Sequence, residues 1–339
     1  MHAVVLDSIA GPLEYRSIDD PEPGPTEALI RVVASAVCGR DLIDARGGFP
    51  ALRLPAILGH EFAGEVVALG SAAGNDLSIG DRVVNLHRPY CGECASCLAG
   101  ESVDCERAWQ SFGHTVPGGY AELVVAERRA LVKIPGEVEF VTAAPVQCTA
   151  GVALRALRHV ARLELGETLL VTGASGGVGV AAVQLGRVLG ARVVAVTSSP
   201  GKVRALSELG ADEVIVASDG KFHDQVQRSG AADVALELTG SATFASALRS
   251  LKRRGRMVVV GNILTEKVSF NPGAMILGSL SISGSHGSSH RDVRDCFELI
   301  GRGVLRMPVD RTLPLAQAAE AHRLLGERGV FGRVVLLPE

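Results

Sequence analysis

The stretch Glu167–Gly190, "ETLLVTGASGGVGVAAVQLGRVLG", turns from a continuous apolar run into a helical pattern through a glycine-rich corner, Thr172–Gly179. Against the template G-x-G-x-x-G, Ala174 takes the first glycine position, and Gly176 and Gly179 take the other two. Gly173, Gly177 and Val178 complete the corner. Small residues there let the backbone approach a pyrophosphate at a helix N-terminus and let the helix pack on its strand. By itself the pattern also suits a plain tight turn. The chain beyond the corner separates the two: "ARVVAVTSS", "EVIVA", "DVALELTG" and "RMVVVGN" alternate with "PGKVRALSELG", "FHDQVQRSG" and "TFASALRSLKRRG". Apolar runs alternating with helices of ten to fifteen residues indicate βαβ units and a parallel sheet buried on both faces. The corner reads as a dinucleotide site.

The strand after the corner ends "VTSSPGKVR", where an NAD-preferring site usually carries an acid for the ribose hydroxyls. Thr197, Ser198 and Ser199 stand there instead, followed by Lys202 and Arg204. Hydroxyls and two cations suit a 2′-phosphate, so NADPH is favoured over NADH. A plainer reading has Ser199 capping the next helix with Lys202 and Arg204 solvated, and both can hold at once. The basic run Leu251–Arg256, "LKRRGR", reads as a helix C-terminus, where cations suit the dipole.

Upstream the texture differs. Residues 1–143 hold short apolar strands ("HAVVL", "ALIRVVASAV", "FAGEVVAL", "DRVVNL", "AELVVA") broken by Gly and Pro, an antiparallel, loop-rich β domain. Residues 144–287 form the α/β domain. The tail 288–339, with one helix and "GRVVLLP", is too short to stand alone and is expected to complete the first domain. At 339 residues two domains are expected. A net charge of −3 offers no reason to expect nucleic acid. No run reaches the roughly 18 apolar residues of a membrane span, and no secretory signal is evident, so a cytoplasmic protein is expected.

Seven cysteines in such a compartment point to metal or catalysis rather than disulfides. Cys91, Cys94, Cys97 and Cys105 are spaced C-x2-C-x2-C-x7-C in a lobe of about 87–108. Four thiolates so close satisfy tetrahedral zinc in a closed, structural site; an iron–sulfur cluster is the alternative. Cys38 in "SAVCGRD", His60-Glu61 in "LGHEF" and Cys148 in "VQCTAG" lie far apart. Each alone reads more readily as core. Together they would make an open, three-ligand zinc site with water, substrate or Glu61 in the fourth position.

This combination resembles the zinc-containing medium-chain dehydrogenase/reductase family: Cys38-x-x-Asp41, Gly59-His60-Glu61, the four-cysteine lobe, Cys148 and the glycine corner. The resemblance covers essentially the whole chain. It implies a GroES-like catalytic domain formed by both chain ends, with a Rossmann domain inserted between them. It also implies Cys38, His60 and Cys148 as catalytic zinc ligands, with Glu61 alternating or nearby. Asp41 would orient His60, since a ligating imidazole needs an acceptor for its other N–H. Two zinc ions per chain and a homo-dimer or homo-tetramer are implied as well.

One departure bears on the reaction. Alcohol dehydrogenases of this family usually have Ser or Thr two places after the first zinc cysteine, opening a proton relay; here Arg40 stands there. In several members a histidine stands five places after that cysteine; here it is Ile43. Arginine stays protonated and passes no proton on. "CGRDLIDARGGFPALRLPAILGHE" looks most like the zinc-type acryloyl-CoA reductases, which also carry arginine before the aspartate, and "GSATFASALRSLKRRGRMVVVGN" continues the likeness. That likeness implies NADPH-dependent reduction of the activated C=C bond of an enoyl thioester or enone. Charge then builds on a carbonyl oxygen, and no alkoxide relay is needed. The alternatives are an alcohol dehydrogenase or aldehyde reductase with an atypical relay, and a non-catalytic NADPH-binding protein. Arg40 has three open roles: a cofactor phosphate contact, a substrate carbonyl contact, or a pair with a nearby carboxylate. His87, His114 and Tyr120 are candidate proton donors, against packing or surface roles. Cys296 reads as core.

Overall fold

The computed structural model describes residues 1–339 except Pro50, Ala73, Asn75, Trp109, residues 263–265 and Glu339. Two compact units emerge: Met1–Cys148 with Gly287–Gly301 and Pro308–Glu339, and Thr149–His286 with Arg302–Met307.

In the first unit, β1 (His2–Leu6), β2 (Leu13–Ser17) and β4 (Ala56–Ile57) form a small sheet. A larger sheet runs β15 (Val309–Pro314), β16 (Arg333–Leu337), β3 (Glu27–Val37), β5 (Glu61–Leu69), β6 (Arg82–Asn85) and β8 (Leu131–Lys133), with β7 (Leu123–Glu127) also pairing β3. Along β3 the sequence alternates, so Ala28, Ile30 and Val32 turn inward onto Phe62, Val66, Val83 and Val124. Each Val, Ile or Phe among them, fully buried, contributes about 1.5–3 kcal/mol, and Ala28 less than about 1. Past Val32 the alternation stops and Ala34, Ser35, Ala36 and Val37 are all buried. There β3 lies between β5, with Ala36 opposite Glu61, and β16, with Val37 opposite Val334. That register sets Cys38, Glu61 and Arg333 at the same end of three neighbouring strands.

The second unit is a parallel sheet ordered β11 (Glu213–Val216), β10 (Arg192–Thr197), β9 (Thr168–Val171), β12 (Ala232–Glu237), β13 (Leu251–Val259), β14 (Ser281–Gly284). In chain order this is 3-2-1-4-5-6, the doubly wound arrangement whose ligand crevice opens where the order reverses, beside β9 and β12. The glycine corner comes directly after β9. Arg302–Met307 belongs to this unit through Gln184, whose Nε2 donates to Arg306 O at 2.8 Å while its Oε1 accepts from Arg306 N at 2.8 Å.

One reading from sequence is corrected. Leu251–Arg256 is not a helix end: the helix stops at Arg249 and β13 begins at Leu251. A register shift against β12 lifts Arg253 and Arg254 into solvent, with Arg254 at φ +63°. Lys252 pairs Asp233 at 2.6 Å and Arg256 pairs Glu167 at 2.6 Å. A charge run thus starts a buried strand because its charges sit on a bulge. Among the described residues one helical run, Phe140–Val160, is long and apolar enough to cross a membrane by length and composition. Of its apolar window 78% is buried within the protein, as in a core helix.

Candidate active site

Cys38 follows β3 and caps the helix Gly39–Ala45; Asp41, three residues on, accepts its backbone N–H at 2.8 Å. The same carboxylate takes His60 Nδ1 at 2.9 Å. His60 sits where the chain enters β5, and its carbonyl accepts from Asn85 Nδ2 at 2.8 Å and Gln147 Nε2 at 3.0 Å. With Nδ1 committed, Nε2 is the free ring nitrogen, and Cys148 Sγ lies 3.5 Å from it. Ligand atoms of Cys38, His60, Glu61 and Cys148 all lie within 4.8 Å of one another.

The electrostatics are those of a donor cluster. A hydrogen bond with Cys148 holds the Cys38 thiol well below its usual range, helped against burial by Arg333 and His60. Cys148 is pushed up by the same bond and by burial. Burial opposes charge on His60, but Asp41 and Cys38 outweigh it and raise the metal-free imidazole to about 10, so a metal at Nε2 would displace a proton. Burial lifts Glu61 to about 7 against the pull of Arg333. One soft thiolate, a second thiol and an imidazole converging in a buried corner are the ligand set of a zinc site with an open position. The residues fit the metal.

Arg333 is the site residue the sequence did not reveal. It opens β16, is buried, and donates to Glu61 through Nη2 at 2.9 Å and Nε at 3.1 Å, with Nη2 3.6 Å from Cys38 Sγ. The available signal was a lone arginine heading an otherwise apolar strand in "GRVVLLP". Asp44 was also missed. Its side chain is 1% exposed, and Arg40 Nε lies 3.2 Å from its Oδ2.

Of the three roles open for Arg40, the carboxylate pair is formed with Asp44. Nη1 also donates to His87 Nε2, itself 2.9 Å from Ser111 Oγ, and the guanidinium lies 5.4 Å from the Phe49 ring centroid. His87 packs edge-on to His60, and burial with Arg40 holds it well below its usual range. Tyr120 is fully buried, its hydroxyl 3.2 Å from Asp41 Oδ2. Cys296 is core.

In the lobe, Cys91 and Cys97 Sγ are 3.9 Å apart and Cys94 and Cys105 Sγ 4.0 Å. A tetrahedron with metal–sulfur bonds of about 2.3 Å has edges of ~3.8 Å, so these four fit one zinc. Backbone N–H groups of Cys91 and Cys94 reach neighbouring sulfurs at 3.3 Å, as thiolates require. All seven cysteines are free of disulfides.

In the second unit, Gly173 has φ +55° and Gly176 caps the helix Gly177–Val188. Ala174 N donates to Val196 O at 3.0 Å and Ser175 Oγ lies 3.4 Å from Thr197 Oγ1, which joins the corner to the Thr197–Ser199 segment. Ser198 is exposed, and the Ser199 hydroxyl makes no capping bond. Arg204 points outward onto Glu208 at 2.7 Å; Lys202 is half-buried.

Comparison with known proteins places both halves of the chain. Residues 24–136 match the family "Alcohol dehydrogenase GroES-like domain" and residues 177–302 match "Zinc-binding dehydrogenase". The acryloyl-coenzyme A reductase of Metallosphaera sedula is 34% identical over 337 residues, 99% of either chain. An alcohol dehydrogenase of Geobacillus stearothermophilus is 32% identical over 343 residues, again 99% of either. The crystal structure of AibC superposes with TM-score 0.93 at 44% identity, covering 100% of this chain and 96% of that one. With both halves matched and relatives aligned end to end, the chain belongs to the zinc-containing medium-chain dehydrogenase/reductase family and is an oxidoreductase acting on a small molecule.

Proposed function

We propose that this enzyme uses NADPH to reduce the activated C=C bond of an enoyl thioester, with catalytic zinc on Cys38, His60 and Cys148 and structural zinc on Cys91, Cys94, Cys97 and Cys105. The observation that carries the reading is Arg40. It occupies the usual relay position and is held by Asp44 and His87. A permanently charged group fixed in that way takes no proton from an alcohol. Similarity to the acryloyl-coenzyme A reductase along the whole chain supports it.

When bound, zinc supplies a Lewis acid for a carbonyl oxygen and the nicotinamide supplies hydride. The chain's own residues do the rest. Asp41 fixes the His60 tautomer so that Nε2 presents its lone pair. Arg333 balances Glu61 and, after the hydrogen bond from Cys148, favours Cys38 as a thiolate. Thr197, Ser198, Ser199 and Lys202 would receive a 2′-phosphate, Gly173–Gly179 the pyrophosphate, and Arg204, paired with Glu208, would add only distant charge.

The similarity to an alcohol dehydrogenase keeps a second reading, aldehyde or alcohol turnover, in view. The test is NADPH consumption by the purified enzyme. Rapid oxidation with an acryloyl or crotonyl thioester and little with saturated aldehydes is expected; turnover of aldehydes alone would establish the second reading. A KM for NADH no higher than for NADPH would remove the cofactor preference. We take the first unit as the catalytic domain and the second as the cofactor domain, which moves the expected boundaries at 143 and 288 to 148 and 287 and gives Arg302–Met307 to the cofactor domain, and we take the cytoplasm as the compartment. A homo-dimer or homo-tetramer is supported by Ile276 and Leu277, each 75% exposed beside edge strand β14, and is checked by light scattering.

A further inference from the structure

Asp41 does more than receive His60. Its Oδ1 takes His60 Nδ1, while its Oδ2 takes both the Cys38 N–H at 2.8 Å and the Tyr120 hydroxyl at 3.2 Å. The Tyr120 oxygen in turn lies 3.1 Å from His322 Nε2. A phenol has one proton to give. If His322 carries its proton on Nε2, that N–H donates to the Tyr120 oxygen and the phenol proton must go to Asp41. If Nε2 is bare, the phenol proton is drawn to His322 and Asp41 Oδ2 keeps only the Cys38 N–H.

The first arrangement satisfies every atom in the row and makes it a directed chain: His322 Nε2–H to Tyr120, Tyr120 O–H to Asp41, with His60 Nδ1–H to Asp41 from the other side. Tyr120 cannot drift from this place. Its ring is fully buried and fills the space a Cβ on Gly59 would need, with Cδ1 2.3 Å from that point, and Gly59 sits at φ +89°. His322 marks the outer end, on the helix Ala318–Gly326, where it lines a surface cavity of about 440 Å³ with Leu42, Ala45 and Arg46.

We propose that Tyr120 and His322 are positioning residues of the metal centre. His322 sets the direction of the Tyr120 hydroxyl, and Tyr120 holds the Asp41 carboxylate in the orientation that keeps His60 Nε2 bare toward the metal. The proposal rests on Cys38, His60 and Cys148 being ligands. It makes metal affinity depend on a histidine two hydrogen-bond partners removed from His60. Loss of a partner bonded directly to a ligating side chain commonly changes metal affinity by about 10–100-fold, so partners one and two bonds farther out are expected at the lower end of that range.

The experiment is zinc affinity of the full-length protein by chelator competition, with Cys38→Ala identifying which zinc is lost. Tyr120→Phe and His322→Leu are each expected to weaken binding about tenfold at this site and to leave the four-cysteine zinc in place. The double variant is expected to match Tyr120→Phe alone, because His322 acts only through Tyr120. His322→Gln, whose amide N–H can replace Nε2–H, is expected to bind like the parent. A purely structural role would give additive losses and no rescue by glutamine. Parent-like affinity in Tyr120→Phe, or additive losses in the double variant, would overturn the inference and leave the ligand assignment standing. If Tyr120→Phe fails to fold, His322→Leu, altered at a solvent-lined cavity, decides alone. A parent that holds no metal at Cys38, His60 and Cys148 overturns the ligand reading and this inference with it.

Discussion

Asp44 and Arg333 show how single buried charges shape the centre. Burial pushes the Asp44 carboxyl from 3.8 up to about 6, against the pull of Arg40. A group raised in this direction binds its proton more tightly folded than unfolded, so it takes stability away as pH climbs from about 4 to about 6. Asp44→Asn lacks that penalty. Its stability relative to the parent is expected to rise across this window by up to roughly 3 kcal/mol and then level off, read as melting temperature at each pH. A difference that stays constant from pH 4 to pH 7 would mean that Asp44 titrates normally. Arg333 was not legible from sequence, because its partner lies outside any local pattern, whereas Asp44 stands four places after Arg40 on one helix and only its burial was hidden. Arg333 and Glu61 are 272 positions apart. The four lobe cysteines, by contrast, fall within fifteen residues, and spacing alone was enough to group them.

At the scale of elements, the glycine corner was readable because its chemistry is local: a strand, a turn without side chains, a helix. Gly179 shows why the third position must stay bare. A Cβ there would lie 2.5 Å from Gly173 O and 2.6 Å from the Ala174 backbone. Backbone atoms cannot swing aside, so Gly179→Ala is expected to cost about 1–3 kcal/mol and to weaken NADPH binding roughly tenfold, measured by denaturation and fluorescence titration. Unchanged NADPH affinity in a folded variant would remove the corner from the cofactor site. The strand β13 failed the local reading for the complementary reason. "LKRRGR" has the charge of a helix end, and only pairing with β12, remote in sequence, reveals a bulge that carries those charges outward. Cys38 and His60-Glu61 fall between these cases. Their residue types suggested chemistry, but the register of β3 with β5 is what brings them together.

Across the whole molecule the proposed zinc assignments predict that the two cysteine clusters divide the labour. Cys38→Ala removes a donor from an open site and is expected to lower activity at least ~10²-fold with the melting temperature nearly unchanged. Cys94→Ala breaks a closed cluster that orders its lobe, and is expected to lower the melting temperature by roughly 5–10 °C. Equal loss of folding in both variants would contradict the division. The ion pair of Arg333 with Glu61 also has a consequence in time. A ribosome adds roughly 5–20 residues per second, so the 272 residues separating these partners take roughly 15–55 s to synthesise. Throughout that interval Glu61 and the Cys38 thiol have been made, and the guanidinium that neutralises them has not. The parallel sheet from β9 to β14 has all its strands well before β16 exists. The site around Cys38, with its candidate ligands made by residue 148, therefore receives its balancing charge only near the end of synthesis.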